Sequence, residues 1–197
     1  GIVVNTDIID GEITSLKDLT KPEFKDEVIM PSPLYSGAAA YNLSVLTKTE
    51  GFGWDFYQQL KDNGVKVDKG NGSVQTAVVA REKGLGMLAD YMAFRSKADG
   101  APVEFIYPSE GSLIVTEPIG IVNGTAHEAE AKSFVDFILS EEGQEATAEI
   151  GYTPVRSGVA APEGFRSVDE ITNLTYDTAE LAASREADKE QFSQMFE

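Results

Sequence analysis

The sequence predicts an α/β fold, an open and mostly parallel sheet flanked by helices, and three observations lead there. Short apolar, β-rich runs alternate with helical patterns for most of the chain, the signature of parallel α/β layers. Glycine and proline punctuate these runs where helices and strands would stop. No internal repeat or low-complexity tract interrupts the alternation.

The elements follow in order. Gly1 to Ile9 reads as a strand and Ser15 to Phe24 as a short helix with irregular flanks. Val28-Ile29-Met30 is a short apolar strand halted by Pro31 and Pro33, and a helix follows from about Ser36 to Thr47 with Ala38, Tyr41 and Val45 on one face. The next helix, Trp54 to Asp62, ends at Gly64, placed as a left-handed cap, before the strand Val65-Lys66-Val67. Gly70-Asn71-Gly72-Ser73 opens a helix bearing Val74, Ala77, Val78 and Arg81 that Gly84 closes, and Leu85 to Leu88 returns as a strand. Another helix begins near Asp90. Val103 to Tyr107, Leu113 to Val115 and Ile119 to Val122 are strand candidates. Ala131, Phe134, Val135, Ile138 and Leu139 keep a helical stripe, Ser140 caps a further helix ended by Gly151, and the tail carries capping boxes at Ser167-x-x-Glu170 and Asp177-x-x-Glu180.

Composition narrows the function. With 16 Lys+Arg against 33 Asp+Glu, the 197-residue chain has a formal net charge of −17, which repels phosphate backbones and anionic lipid surfaces. Nucleic acid is therefore not an expected partner. No apolar run approaches the ~18 residues of a membrane span. The absence of Cys removes disulfides, thiolate metal sites and thiol nucleophiles. His127 is the only histidine, so the usual transition-metal constellations are missing and no cofactor is expected. Gly1-Ile2-Val3-Val4-Asn5 reads as the middle of a strand without initiator Met or signal peptide, which leads to the expectation that something upstream was removed.

In open parallel sheets ligands bind beyond the carboxyl ends of strands, so the three strand-to-helix turns are the places to search. At Tyr35-Ser36-Gly37-Ala38, small residues let a ligand reach the free N–H groups and positive dipole end of a first turn, which suits a phosphate or carboxylate. Taken by itself, Ser36 reads first as a plain N-cap beside closely packed alanines. The turn Gly70 to Ser73 also leads into a helix, but lacks the Lys and hydroxyl pattern of a nucleotide-binding loop. Asp90 and Tyr91 directly follow a strand, where a carboxylate accepts from sugar hydroxyls or an ammonium and a phenol does either or stacks. Glu110 sits on a polar turn and is explained by a crossover or by a surface hairpin. An acid/base pair of Asp90 and Glu110 would make the chain a carboxylate-dependent hydrolase, the enzymatic alternative.

The run Ser15 to Lys25, leading through Val28-Ile29-Met30-Pro31-Ser32-Pro33 into Tyr35-Ser36-Gly37, resembles the second lobe of bacterial extracellular solute-binding proteins of ABC importers. It is most similar to their ferric-ion, sugar-phosphate and phosphonate-type branch. Asn5-Thr6-Asp7, Asp90-Tyr91-Met92-Ala93, Tyr107-Pro108-x-x-Gly111 and Ala131 to Leu139 followed by Ser140-Glu141-Glu142-Gly143-Gln144 agree in the same order. The resemblance implies a periplasmic-binding-protein-like (type II) lobe over residues 1–112, a crossing strand and helices at 113–150 that in an intact member belong to the first lobe, and a C-terminal helical segment at 151–197.

The same resemblance implies a binding protein rather than an enzyme, periplasmic or extracellular, with or without a lipid anchor in the full-length protein. It captures a small solute between lobes for an ABC permease. The ligand-contacting residues it implies are Ser36, Gly37, Ala38, Asp90, Tyr91 and Glu110. Ferric-binding members resemble one another in having two adjacent tyrosines where this chain has Asp90-Tyr91, so an anionic organic solute such as a sugar phosphate or phosphonate is expected before iron. The stripe from Ala131 to Leu139 needs a cover, which the chain's own sheet or self-association with a second copy of the chain would supply, or which truncation or proteolysis has removed.

Overall fold

The computed structural model describes residues 1–196. They divide into two compact units, Gly1–Leu113 together with 172–196, and Ile114–Ile171. The tail is thus shared, 151–171 going with the second unit.

The first unit is built on a five-stranded sheet. Its strands are β1 (Ile2–Asn5), β2 (Val28–Pro31), β3 (Lys66–Asp68), β4 (Leu85–Met87) and β5 (Val103–Ile106), in the order β3-β2-β4-β1-β5. β2 is parallel to β3 and β4, while β1 is antiparallel to both β4 and β5. Four strands therefore run one way and β1 runs back.

The period-2 alternation of each strand sorts side chains onto two faces. Ile2, Val4, Val28, Met30, Leu85 and Met87 enter one apolar cluster, with helices α1 (Gly37–Leu46) and α2 (Gly53–Asp62) supplying Leu43, Leu46, Phe56 and Leu60. Val3 and Ile29 enter the other, packed by Val74, Ala77 and Val78 of α3 (Asn71–Val79) and Ala93 of α4 (Asp90–Ala98). Gly86 belongs to this second face, where a methyl group would press into Val74, Val3 and Val78. The helix α7 (Thr178–Phe196) lies against α1, burying Phe192, whose ring stacks on Phe196 at 4.5 Å and meets Tyr57 edge-on at 6.3 Å. Asp188 of α7 accepts from Ser44 Oγ (2.8 Å), Ser184 Oγ (2.8 Å) and Lys48 Nζ (2.9 Å), joining the two helices through charge-assisted bonds.

The second unit contains α5 (Glu128–Ile138), α6 (Glu141–Glu149) and a 3₁₀ turn at Val168–Glu170. The α5–α6 corner explains each residue of its motif. Ser140 Oγ accepts from the Gly143 N–H at 3.1 Å, and Gln144, almost fully buried, donates to Ile138 O (2.8 Å) and accepts from the Val155 N–H (2.8 Å). At Gly143 any side chain would overlap the Phe137 carbonyl oxygen.

Several expectations need correction. Leu113 to Val115 and Ile119 to Val122 form no strand: among the described residues no ladder partner lies beside them, and Val115, Ile119, Ile121 and Val122 are exposed. An isolated bridge joins Ser112, just before them, to Asn173. Ser15 to Phe24 is two 3₁₀ turns, Leu16–Thr20 and Pro22–Phe24, because the Pro22 ring interrupts the hydrogen-bond ladder. The first strand stops at Asn5, whose buried amide donates to Val78 O at 2.7 Å and turns the chain. Helix α3 ends at Val79, and the left-handed residue after it is Arg81 (φ 64°), not Gly84. Gly84 is needed instead for contact, since a methyl there would overlap the Ile9 side chain.

Candidate functional site

The topology marks one crevice in the first unit. β2 connects through α1 and α2 to β3 on one side of it, and β4 connects through α4 to β5 on the other. β2 and β4 are neighbours, and α1 and α4 pack on opposite faces of the sheet. By strand order the carboxyl ends of β2 and β4 therefore form a topological switch point, and α1 follows β2 there as α4 follows β4.

Ser36, Gly37 and Ala38 form the α1 side. The Ser32 hydroxyl accepts from Leu34 N–H (3.2 Å) and its carbonyl from Ser36 N–H (3.0 Å), a turn that sets Ser36 in extended backbone as N-cap. Ser36 Oγ then accepts from Ala39 N–H at 3.2 Å. The Gly37 and Ala38 N–H groups have no intrahelical acceptor, and a methyl placed on Gly37 would meet nothing within 4 Å. Ser36 is thus a cap whose bond goes to Ala39 and leaves the Gly37 and Ala38 N–H groups without an acceptor in the helix. Tyr35, just before it, is 71% exposed.

Asp90 and Tyr91 form the α4 side. Asp90 is the first residue of the helix, its Oδ1 accepting from Tyr91 N–H at 2.8 Å and its Oδ2 from the Tyr107 hydroxyl at 3.1 Å. The Arg95 guanidinium lies over the Tyr91 ring, 5.7 Å from its centroid. Tyr107 follows β5 and packs edge-on against Phe105 at 4.8 Å. Sequence reasoning did not single it out as a site residue; an aromatic at the carboxyl end of a strand, held extended by the following Pro108, was the available signal.

Three helix ends share this edge of the sheet, and their charges differ. At α3 the Asp68 carboxylate accepts from Lys69 N–H at 2.7 Å. That bond, with help from Lys66 and Ser73 and against partial desolvation, holds the Asp68 pKa below the usual carboxylate value. At α4 the carboxylate is Asp90. The first turn of α1 carries no acidic residue, which leaves its positive end uncompensated.

Glu110 is engaged elsewhere. Its Oε1 accepts from Leu16 N–H (2.6 Å) and Ser15 Oγ (3.3 Å), and its Oε2 from Ser109 Oγ (3.1 Å), so it caps the 3₁₀ turn at Leu16–Thr20. Gly111 beside it has φ 118°, and a side chain there would crowd the Thr172 carbonyl. Among the described residues no group of three or more His, Asp or Glu side chains is gathered to hold a metal ion.

The comparisons with known proteins point the same way as the topology. The family described as bacterial extracellular solute-binding protein matches residues 1–182. An uncharacterized protein of Haemophilus influenzae is 35% identical over 134 residues, 66% of this chain and 38% of its own length. The periplasmic binding protein AfuA of Actinobacillus pleuropneumoniae, solved with fructose-6-phosphate bound, superimposes with a TM-score of 0.84 at 24% identity over 99% of this chain and 65% of that one. Iron-bound HitA of Pseudomonas aeruginosa superimposes with a TM-score of 0.81 at 24% identity over 96% of this chain and 65% of that one. The shared fold is that of type II periplasmic binding proteins, and this chain spans less than two thirds of the length of each of these relatives.

Proposed function

Because the chain belongs to the bacterial extracellular solute-binding proteins, we propose that it is the ligand-binding lobe of an ABC-importer component that captures a small anionic organic solute. What supports this reading is the switch point in the strand order, at which the first turn of α1 carries no acidic residue and α4 begins with the Asp90 carboxylate. An oxyanion such as a phosphate or phosphonate accepts from the Gly37 and Ala38 N–H groups and from the Ser36 hydroxyl, where the helix dipole favours negative charge. Hydroxyl or ammonium groups on the same solute donate to Asp90, and Tyr91 lines that wall. Glu110 is left out of the ligand contacts, since its Oε1 already serves the Ser15–Leu16 turn and its Oε2 accepts from Ser109 Oγ.

The proposed role needs binding and release without covalent chemistry, in a periplasmic or extracellular setting and with an ABC permease as partner. No described helix is long and apolar enough to cross a membrane. A hydrolase would need Asp90 and Glu110 acting on one bond, and Glu110 is spent on capping. Ferric ion suits the site less well. The residue beside Tyr91 is a carboxylate, and the Tyr107 hydroxyl donates to that carboxylate rather than standing as a phenolate.

Gly37→Pro tests the anion site cleanly. Proline is favoured at the first position of a helix and tolerates the extended Ser36 before it, so the fold is kept while one donor N–H is lost. Calorimetry on the full-length protein should show phosphate and phosphate monoesters binding about tenfold more weakly to this variant, the loss of one charge-assisted bond. Unchanged affinity rules this site out.

A further inference from the structure

Asp90 is not a freely rotating carboxylate. One oxygen accepts from the Tyr91 N–H at 2.8 Å in its own helix turn, and the other from the Tyr107 hydroxyl at 3.1 Å. The two donors belong to different elements, the first turn of α4 and the residue following β5. Tyr107 is itself fixed in three ways: β5 is paired with β1 through Ile106 and Ile2, the ring packs edge-on against Phe105 at 4.8 Å, and Pro108 restricts its backbone to extended conformations. A carboxylate offers about four acceptor positions, so two bonds from the protein fix its plane and leave the remaining lone pairs aimed in set directions. Asp90, Tyr91 and Tyr107 all stay partly exposed.

We infer that Tyr107 is a positioning residue that orients Asp90 as an acceptor, and that the pair selects solutes whose oxyanion is joined to a hydroxyl or ammonium donor over the bare oxyanion. This rests on the anion reading of the α1 end given above and extends it to what the rest of the solute must carry. The selectivity comes from two sides. A matched donor gains a charge-assisted bond to a carboxylate already held in place, so little side-chain freedom is lost on binding. A solute presenting another anionic group at that point meets a negative charge that the two protein bonds hold in position.

The test uses full-length protein and calorimetry with four probes: inorganic phosphate, glycerol 3-phosphate, glucose 6-phosphate and phosphoethanolamine. Tyr107→Phe keeps the ring against Phe105 and removes only the hydroxyl. At least one ester is expected to bind wild type more tightly than phosphate does, and Tyr107→Phe should weaken that ester about three- to tenfold, the worth of one oriented hydrogen bond, with phosphate unchanged. In an Asp90→Ala background the same Tyr107→Phe change should have no further effect, because the group it orients is gone. An equal loss for phosphate and ester, a loss that persists without Asp90, or no loss for the ester would each overturn the positioning role. If no ester outbinds phosphate, the selectivity inference fails and the anion site stands. If neither phosphate nor any ester binds, the anion reading falls and takes this inference with it.

Discussion

Helices α1 and α5 both carry apolar stripes, and only one of them is covered. Leu43 and Leu46 of α1 lie fully inside the core of the first unit, between the sheet and α7. Phe134 and Phe137 of α5 are 57% and 44% exposed, and no residue of α5 is buried. Periodicity reveals which face of a helix is apolar, but cover is a property of what else folds beside it. The first unit has a five-stranded sheet to pack against. In the second unit the specific contacts are at the α5–α6 corner, where hydrogen bonds and a glycine fit do what apolar burial does elsewhere.

The sharpest way to break this contrast is to make the same change in both regions. Phe192→Ala removes a fully buried ring that contacts Phe196 and Tyr57, and should cost about 3–5 kcal/mol. Phe134→Ala removes a ring of equal size from an exposed face and should change stability by less than about 0.5 kcal/mol. Urea unfolding of both variants measures the difference. Similar losses would mean that the α5 stripe is covered in solution and that the contrast drawn here is wrong.

How much of this was legible in the sequence depended on whether a signal was local. Ser36, Ser140 and the Ser167–Glu170 pair act as read, and of the Asp177–Glu180 box the bond from Glu180 N–H to Asp177 Oδ1 is formed, because a cap is decided within one helical turn. Gly64 takes the left-handed position after α2 as its placement indicated. The run from Leu113 to Val122 misled because an apolar, β-branched segment reads alike with or without a pairing partner. Arg81 took the turn expected of Gly84 because contact with Ile9, a distant residue, decides what Gly84 is for. The site divides along the same line. The place of Ser36 and Asp90 at strand-to-helix turns was readable, whereas the hydrogen bonds of Glu110 come from Ser15 and Leu16, some 95 residues away in sequence.

Gly143→Ala sharpens the second half of the comparison, that the corner is held by fit. The added methyl would overlap the Phe137 carbonyl and crowd Ile138, so α6 must shift, and overpacking of this kind costs about 1–3 kcal/mol. Hydrogen exchange should accelerate at the amides of α5 and α6 and stay unchanged in α1, α3 and α4. Exchange that accelerates throughout would show the two units unfolding as one.

A smaller loss is expected at the polar contact through which the covered helix α1 is held by α7. Burial raises the Asp188 pKa, but hydrogen bonds from Lys48, Ser44 and Ser184, with the Lys48 charge, outweigh it and hold the carboxyl below its ordinary value. A depressed folded-state value means that the folded protein stays ionised where the unfolded chain already takes up a proton. The contribution is therefore complete above the unfolded value of about 3.9 and is lost as pH falls through the lower, folded one. Asp188→Asn should lower stability by about 1 kcal/mol at pH 7, since the amide oxygen still accepts from a hydroxyl while the ion pair to Lys48 is gone. Urea midpoints taken from pH 7 down to pH 3 should show wild type and variant converging in the acid range, because protonation removes from the wild type what the substitution has removed already. Parallel curves would mean that Asp188 holds α7 to α1 by packing alone, and the covered and uncovered helices would then differ only in their apolar faces.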